Sequence, residues 1–242
     1  MDNPYLEAFR ANESRYYGFP SAGHHDRRGD LVKKYAWAIP TPEAIQTIAD
    51  AVKTHALKGV VEMGAGTGYW GYLLKQVGVA YQGFDHGRAV DDYRNGRNIG
   101  RWTNVFDGIP EALGDFGDWL LLLCWPPYDT PMATASLRAF PGRIVAYIGE
   151  SAGGCTGDTE FHALLVEGYE ANALIDLPRW SGIHDDLSVH VRNGKPLPEY
   201  DTVWACGQCE TVYRSQGDLV NGRYCPKCKD SWTYQDLERR KE

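Results

Sequence analysis

The chain has 242 residues, of which 43% are hydrophobic and 24% are charged, and its net charge is −7. This is the composition of a globular protein, which excludes disorder, collagen and coiled coil as the main class, and the length allows one full domain with a small appendage. The acidic balance argues against a protein held to nucleic acid by bulk charge alone, because phosphate binding needs clustered Lys and Arg. A local basic face stays open.

The first residues of the chain are polar and acidic, and no basic stretch precedes an apolar run there, so we expect no signal peptide. The most apolar run, from Trp119 to Trp125, is only as long as a strand, so we also expect no membrane span. Together these expectations predict a reducing cytoplasmic location. In such a compartment, paired cysteines hold metal more often than they form disulfides.

Residues 1–40 form an aromatic and basic segment with weak periodicity, and a helix is predicted from Pro42, with Thr41 as its N-cap. Beyond this helix, short apolar strands alternate with helices. The predicted strands are 60–61, 79–87, 103–108, 118–125, 142–150, 169–178 and 185–193. The alternation predicts an α/β fold, with a Rossmann-like, doubly wound, mostly parallel sheet in a domain of residues 41–194. A Pro-rich segment then leads into a small C-terminal module of residues 195–242.

A glycine-rich loop follows the first predicted strand and precedes a helix, with the sequence Glu62-Met-Gly-Ala-Gly-Thr-Gly68. Its glycines allow a tight turn and a close approach of the backbone to a ligand, and the helix N-terminus adds a partial positive charge. A second acidic residue, Asp85, ends the next predicted strand, where a carboxylate suits a pair of ribose hydroxyls. The loop therefore predicts a nucleoside-containing cofactor.

An acidic residue followed by GxGxG, as in EMGAGTG, resembles the first motif of class I S-adenosylmethionine-dependent methyltransferases, and the resemblance covers residues 41–192. It implies S-adenosylmethionine as cofactor, with Glu62 near the methionine part, Asp85 on the ribose and Asp107 near the adenine amino group. The residues that pass beneath the cofactor would be Gly64, Ala65, Gly66 and Gly68. The alternatives are a structural turn and a dinucleotide-binding enzyme, although NAD enzymes usually have GxGxxG spacing.

The fourth predicted strand leads into Trp125, Pro126, Pro127 and Tyr128, at the sheet edge where open α/β folds bind ligands. The prolines fix φ and remove two N–H donors, so the loop presents carbonyl oxygens to a substrate amine, and the tyrosine ring can stack on a base. The loop resembles the (Asp/Asn/Ser)-Pro-Pro-(Tyr/Phe/Trp) motif of amino-methyltransferases that modify adenine N6, cytosine N4 or glutamine nitrogen. Trp125 departs from it, because it supplies no side-chain acceptor.

These four residues are therefore the candidate catalytic residues of an N-methyltransferase. The resemblance favours an amino group of a DNA or RNA base as the methyl acceptor, and a duplex substrate would require base flipping. Two alternatives stay open. One is a methyltransferase that acts on a protein or a small molecule, which the acidic balance favours, and the other is a non-catalytic binding module with a methyltransferase-like fold.

The C-terminal module contains two CxxC pairs, Cys206 with Cys209 and Cys225 with Cys228, in the spacing of a structural zinc site. The module is too small for an apolar core, so zinc would supply most of its folding energy. It resembles a zinc ribbon. Acidic and basic residues balance there, which leaves contact with nucleic acid and contact with protein both open, and no oligomeric state is predicted.

Overall fold

The computed structural model describes residues 1–11, 27–86, 101–206, 212–213, 227 and 233–239. Its α-helices are α1 (Pro4–Arg10), α2 (Arg27–Lys34), α3 (Pro42–Thr54), α4 (Tyr69–Gln76), α5 (Met132–Ala139) and α6 (Thr159–Gly168), with a 3-10 helix at Pro110–Asp115. Its strands are β1 (Val60–Met63), β2 (Tyr81–Asp85), β3 (Val105–Asp107), β4 (Leu120–Cys124), β5 (Ile144–Gly149), β6 (Tyr169–Asp176), β7 (Asp186–Arg192), β8 (Tyr200–Cys206), β9 (Val212–Tyr213) and β10 (Thr233–Arg239).

Within the described residues, seven strands form one sheet in the order β3-β2-β1-β4-β5-β7-β6. Strands β1 to β5 are parallel, and β7 is antiparallel to both of its neighbours. This confirms the predicted Rossmann-like, mostly parallel α/β sheet. The chain order reverses between β1 and β4, and such a switch point leaves a crevice at the carboxyl ends of the strands.

Strand β4 shows why the sheet is buried on both faces. Leu120 and Leu122 belong to the apolar cluster on one face, whereas Leu121 and Leu123 belong to the cluster on the other face, and all four side chains are fully buried. Helices α1, α3 and α4 cover the first face, and α5 and α6 cover the second. The unalternated apolar run in the sequence is therefore a central strand, as predicted.

Helix α3 begins with the predicted N-cap. The hydroxyl of Thr41 accepts a hydrogen bond from the backbone N–H of Ala44 at 3.1 Å, and Pro42 occupies the first helical turn of α3. These contacts satisfy N–H groups that a helix leaves without partners at its start. None of the helices in the described part of the chain has the length and apolar character needed to cross a lipid bilayer.

The described parts of the N-terminal segment, residues 1–11 and 27–40, pack into the core of the sheet domain. Tyr5 stacks on Tyr35 with ring centroids 4.9 Å apart, and its hydroxyl accepts a hydrogen bond from the indole of Trp180 at 3.3 Å. The hydroxyl of Thr67 donates to the carbonyl of Tyr35, which ties the segment after α2 to the glycine-rich loop. The segment thus places Val32, Tyr35, Ala36 and Trp37 beside the carboxyl ends of the strands.

The C-terminal module contains a second, three-stranded sheet in the order β10-β8-β9, and all of its pairings are antiparallel. Cys206 ends β8 and pairs with Thr233 of β10. The other three predicted zinc ligands, Cys209, Cys225 and Cys228, lie outside the described residues. Among the residues that the structure does describe, no group of three or more potential ligands has the arrangement of a metal site.

Candidate functional site

A cavity of about 740 Å³ lies at the carboxyl ends of β1, β2 and β4. This volume is in the range of about 300–1,000 Å³ that is usual for small-molecule sites. The predicted site residues in its wall are Glu62, Gly64, Ala65, Gly66, Asp85, Trp125, Pro127 and Tyr128. The fold thus brings both predicted motifs to one cavity, whereas Gly68, Asp107 and Pro126 lie outside its lining.

The glycine-rich loop adopts a conformation that favours glycine. Gly64, Gly66 and Gly68 have φ angles of +79°, +53° and +74°, in the left-handed region that side chains disfavour. Gly68 is the N-cap of α4, and its own N–H donates to the carbonyl of Ala65 at 2.7 Å. The loop therefore turns tightly from β1 into α4.

The backbone N–H groups of Gly64, Ala65, Gly66 and Gly68 in this loop all donate to acceptors within the protein. Those of Gly64 and Ala65 both donate to the carbonyl of Phe84, at 2.9 and 3.0 Å, and that of Gly66 donates to Oδ2 of Asp85 at 2.6 Å. A phosphate-binding loop instead directs free N–H groups at its ligand. The glycines here therefore bring the backbone close to the cavity without forming a phosphate cradle.

Glu62 is the buried carboxyl group of the cavity wall. It lies on β1 and is 2% exposed, and the hydroxyl of Tyr81 donates to its Oε2 atom at 2.5 Å. Burial raises the pKa of Glu62 to about 8, the charge of Asp85 adds to this, and the Tyr81 hydrogen bond opposes it. Burial in an apolar wall disfavours the charged form, so a positive ligand group would favour its ionisation.

Asp85 ends β2 beside the glycine-rich loop, as predicted. Its Oδ1 atom accepts the N–H of His86 at 2.7 Å, in addition to the bond from the loop to Oδ2, and burial raises its pKa. Asp107 ends β3 with an exposed side chain, and its Oδ1 atom lies 3.7 Å from Nδ1 of His86. Gly108, the next residue, lines the cavity. Asp107 therefore borders the cavity mouth.

The charge of the cavity wall is one-sided. Its acidic residues are Glu62, Asp85 and Glu111, with His86 beside them, and the lining contains neither Lys nor Arg among the residues that the structure describes. The rest of the wall is mostly aromatic and aliphatic. Such a wall favours a ligand with positive groups and hydroxyls over one with phosphates, because a buried anion needs a cation or directed donors.

Trp125 follows β4 in a constrained arrangement. Its φ angle is +54°, which is unusual for a residue with a large side chain, and its N–H donates to the carbonyl of Ile148 at 2.8 Å. Its indole N–H donates to Oδ1 of Asp185 at 2.8 Å, and its ring stacks on that of Trp37, with centroids 4.7 Å apart and planes within 7°. The indole is therefore fixed on its edge and on one face.

The three residues after Trp125 have different surroundings. The carbonyl of Pro126 accepts the N–H of Gly157 at 3.0 Å, and that of Pro127 accepts the hydroxyl of Thr130 at 3.1 Å. Tyr128 is 64% exposed and lines the cavity. The loop thus places an accessible aromatic ring at the cavity rim, while these two carbonyl groups already have protein donors.

Several residues of the cavity wall were not predicted from the sequence. Tyr35 and Trp37 come from the N-terminal segment, and Trp70 comes from α4; the high aromatic content of residues 1–40 was the only signal for the first two. The indole N–H of Trp70 is buried and has no partner in the described structure, so a ligand or a water molecule can accept from it. Asp185 was also missed, because nothing local marks it as the partner of Trp125.

The cysteines near the cavity are unsuited to nucleophilic chemistry. Burial raises the pKa of Cys124 well above its ordinary value, and burial together with Glu150 raises that of Cys155 to about 11. Both therefore stay thiols at neutral pH, and a thiol is a poor nucleophile. Glu150 accepts the N–H groups of Cys155 and His184 at 2.8 Å each, so its carboxylate joins two loops beside the cavity.

Neither a protein-family model nor a curated protein sequence matches the chain. Among solved structures, magnesium protoporphyrin IX methyltransferase (ChlM) from Synechocystis PCC 6803 with bound SAH aligns with 79% of this chain and 98% of its own, at 12% identity and a TM-score of 0.45. The methyltransferase domain of the bacterial protein CtHen1 aligns with 61% of this chain and 96% of its own, at 14% identity and a TM-score of 0.42.

A TehB-like SAM-dependent methyltransferase from Corynebacterium glutamicum aligns with 78% of this chain and 97% of its own, at 16% identity and a TM-score of 0.40. At these identities and TM-scores, the likeness carries no conclusion about function. A conclusion about function therefore has to come from the residues that line the cavity.

Proposed function

We propose that the chain is an S-adenosylmethionine-dependent methyltransferase whose cofactor binds in the cavity at the ends of β1, β2 and β4. The observation that carries this is the one-sided wall, with its carboxylates and its lack of Lys and Arg among the described lining residues. The N–H groups of Gly64, Ala65 and Gly66 are also already bound within the protein. S-adenosylmethionine has sulfonium and ammonium groups and two ribose hydroxyls, which suit carboxylates, and one carboxylate, which can accept from the buried indole N–H of Trp70. The pyrophosphate of a dinucleotide needs free N–H groups or cations and suits this wall less.

The wall residues divide among the parts of this cofactor. Glu62 would bind a positive group of the methionine part, and Asp85 would accept hydrogen bonds from the ribose hydroxyls. Asp107, beside His86 at the cavity mouth, would accept from the adenine amino group. Ile109 and Met132 supply apolar surface for a flat ring.

When bound, the cofactor supplies a methyl group on a sulfonium, which is already activated for attack by a nitrogen lone pair. Transfer would leave S-adenosylhomocysteine, and the proton of the methylated nitrogen would pass to solvent at the cavity rim beside Tyr128. The contribution of the chain is orientation and the exclusion of water, which together can supply several kcal/mol of rate enhancement. The aromatic ring of Tyr128, at the cavity rim, and the carbonyl of Trp125 are the groups that would orient the acceptor.

The proposed acceptor is an amino group of a base in DNA or RNA. Two observations support it. The exposed ring of Tyr128 offers a face on which a base can stack. Helix α2, which contributes Val32 to the cavity wall, also carries the basic residues Arg28, Lys33 and Lys34. A phosphate backbone that passes this helix would place its base near the cavity.

A protein side chain or a small molecule is the second candidate acceptor. The lining favours it, since a phosphate could not enter the described cavity without an unfavourable contact with carboxylates. In this case Tyr128 would stack on another flat or apolar group, and the basic residues of α2 would be a solvated face.

Calorimetry with S-adenosylmethionine, followed by incubation with labelled cofactor and separate DNA, RNA, protein and small-molecule fractions, tests the proposal. We expect binding and label in a nucleic-acid fraction. A folded sample that does not bind the cofactor would refute the enzyme assignment and leave the non-catalytic alternative. Label confined to protein or small molecules would support the second candidate acceptor.

We also propose that Cys206, Cys209, Cys225 and Cys228 bind one structural zinc ion, as their spacing in the sequence indicates. Elemental analysis should find one zinc ion per chain, and Cys225→Ser should lose it. The matched control is Cys155→Ser, which changes a cysteine of the cavity wall and should leave the zinc content unchanged. Zinc-free protein that keeps the structure of the C-terminal module would contradict the proposal.

A further inference from the structure

Tyr81 lies behind the cavity wall and contacts its buried carboxyl group. It is the first residue of β2, it is 9% exposed, and it is not part of the lining. Its hydroxyl donates to Oε2 of Glu62 at 2.5 Å. Among the described residues this is the single hydrogen bond to that carboxylate, so the Oε1 atom of Glu62 stays available to a ligand in the cavity.

The ring of Tyr81 is seated by two glycines. A Cβ atom on Gly71 of α4 would lie 2.2 Å from a ring carbon of Tyr81, and one on Gly83 of β2 would lie 2.5 Å from its hydroxyl oxygen. Neither glycine has a positive φ angle, so backbone conformation does not require glycine there. The space that the Tyr81 ring occupies does. Lys75 of α4 lies 5.6 Å from the ring centroid. The close packing of these residues around the ring therefore fixes the position of the Tyr81 hydroxyl.

We propose that Tyr81 is a positioning residue that holds Glu62 for contact with a positive group of the cofactor, and that binding of the cofactor releases a proton from Glu62. This inference rests on the proposed function, because it takes S-adenosylmethionine as the ligand. The chemistry required is a positive centre, which the ammonium and the sulfonium of that molecule both provide.

The electrostatics of the wall support this coupling. Burial, with Asp85 on β2 as a like charge, raises the pKa of Glu62 to about 8, so the free protein carries a proton there at pH 7. Cys124 on β4 is a neutral thiol, and Lys75 of α4 lies over the ring of Tyr81. Arg101 and His86 act on Asp85, and the described cavity lining contains neither Lys nor Arg. A positive ligand group would supply the missing countercharge and lower the pKa of Glu62.

The sign of the pH dependence follows from this arrangement. Below the pKa of the free protein, binding has to displace the proton, so affinity rises with pH by up to about tenfold per unit. Above that pKa the carboxylate is already ionised, so affinity levels off if the sulfonium is the partner and falls again if the ammonium is, because an α-ammonium loses its proton at about pH 8. Calorimetry of S-adenosylmethionine binding from pH 6 to pH 9, in buffers of different ionisation enthalpy, should show this profile with proton release at pH 7.

Two ligands distinguish the source of the positive charge. S-adenosylhomocysteine keeps the ammonium but has a neutral sulfur. The same profile with both ligands identifies the ammonium as the partner of Glu62, and a profile seen with S-adenosylmethionine alone identifies the sulfonium. An affinity that does not change with pH for either ligand would overturn the inference.

Tyr81→Phe keeps the ring between the two glycines and removes the hydrogen bond that favours ionised Glu62. We expect the rising limb of the binding profile to move to higher pH, with affinity at least fivefold weaker at pH 7 and the difference from the wild type shrinking as pH rises. The matched control is Tyr169→Phe, which removes a buried hydroxyl that has no hydrogen-bond partner in the described structure. It should leave the profile unchanged.

Glu62→Gln, with Tyr81 intact, should abolish both the pH dependence and the proton release. It keeps the inference testable if Tyr81→Phe does not fold. An equal loss of affinity at all pH values in Tyr81→Phe would indicate a purely structural role and overturn the inference. Absence of cofactor binding at every pH in the wild-type protein would instead refute the proposed function itself.

Discussion

The two halves of the cavity are built in different ways. At the end of β1, backbone and carboxylate atoms satisfy one another over short sequence distances, as in the bond from Gly66 to Asp85, 19 residues further on. At the end of β4, Trp125 depends on side chains from remote segments, Asp185 being 60 residues away and Trp37 coming from the N-terminal segment. The β1 half is therefore suited to one constant ligand. The side chains of the β4 half can be changed without disturbing the contacts of the β1 half.

This difference suggests a division of work. On the proposed function, the β1 half would bind the cofactor, and its contacts are encoded in one short motif. The β4 half would bind the acceptor, and it is assembled from aromatic rings that meet only in the folded chain. Variants at the two ends should therefore affect different steps, and each prediction below would break or sharpen that separation.

Tyr128→Ala should have the largest effect. It removes the exposed ring at the rim, so the acceptor loses its stacking surface, and we expect methyl transfer to fall at least a hundredfold. Affinity for S-adenosylmethionine should stay within about twofold, because the ring lies on the β4 side. Tyr128→Phe, which keeps the ring, should retain most of the activity in the labelled-cofactor assay. Unchanged turnover in Tyr128→Ala would refute this role.

Asp185→Asn tests the support of Trp125. Asp185 is 1% exposed, and burial, with Glu150 as a further charge, raises its pKa to about 6, above its value in the unfolded chain. The ionised form therefore destabilises the fold once pH rises through 6, by up to about 3 kcal/mol at 1.36 kcal/mol per pKa unit. Asparagine keeps an acceptor for the indole N–H without the charge.

The variant should consequently be more stable than the wild type at pH 8, by up to about 3 kcal/mol, and equal to it near pH 4. Urea denaturation at the two pH values measures this. Asp118→Asn, at an exposed carboxylate paired with Lys58 at 2.5 Å, is the control and should change stability little at either pH. A loss of stability at pH 8 would show that the charge of Asp185 is needed there.

Gly66→Ala tests the other half. At φ +53° an alanine is strained by about 1–2 kcal/mol, and relief of the strain would pull the N–H away from Asp85, so cofactor affinity should fall about tenfold. Gly78→Ala is the matched control, since Gly78 has φ +82° and lies after α4, outside the cavity lining. It should lose similar stability without a change in cofactor affinity, measured by calorimetry.

The sequence predicted the β1 half well because local patterns determine it. Alternating strands and helices, the cap at Thr41, the glycine loop and Asp85 at the end of β2 were all found where expected. The partners of Trp125 could not be predicted, because stacking and the bond to Asp185 join segments that no periodicity connects. Pro126 shows the same limit, since its carbonyl binds Gly157 of a distant loop.

Trp37→Ala should have the smallest effect, and it tests most directly whether the acceptor half is independent. An aromatic stack of this kind contributes about 0.5–1.5 kcal/mol, so Trp125 would lose part of its support and the KM for the acceptor should rise about three- to tenfold. Cofactor affinity should stay within about twofold.

The control for this variant is Trp119→Ala, at a half-buried tryptophan that packs on Phe116 with ring centroids 5.3 Å apart, outside the cavity lining. It should lower stability and leave both ligand constants unchanged. If Trp37→Ala weakened the cofactor as much as the acceptor, the aromatic wall would belong to both ligands, and the separation between the β1 and β4 halves would fail. A rise in the acceptor KM alone would show that the stack of Trp37 on Trp125 contributes to acceptor binding and not to cofactor binding.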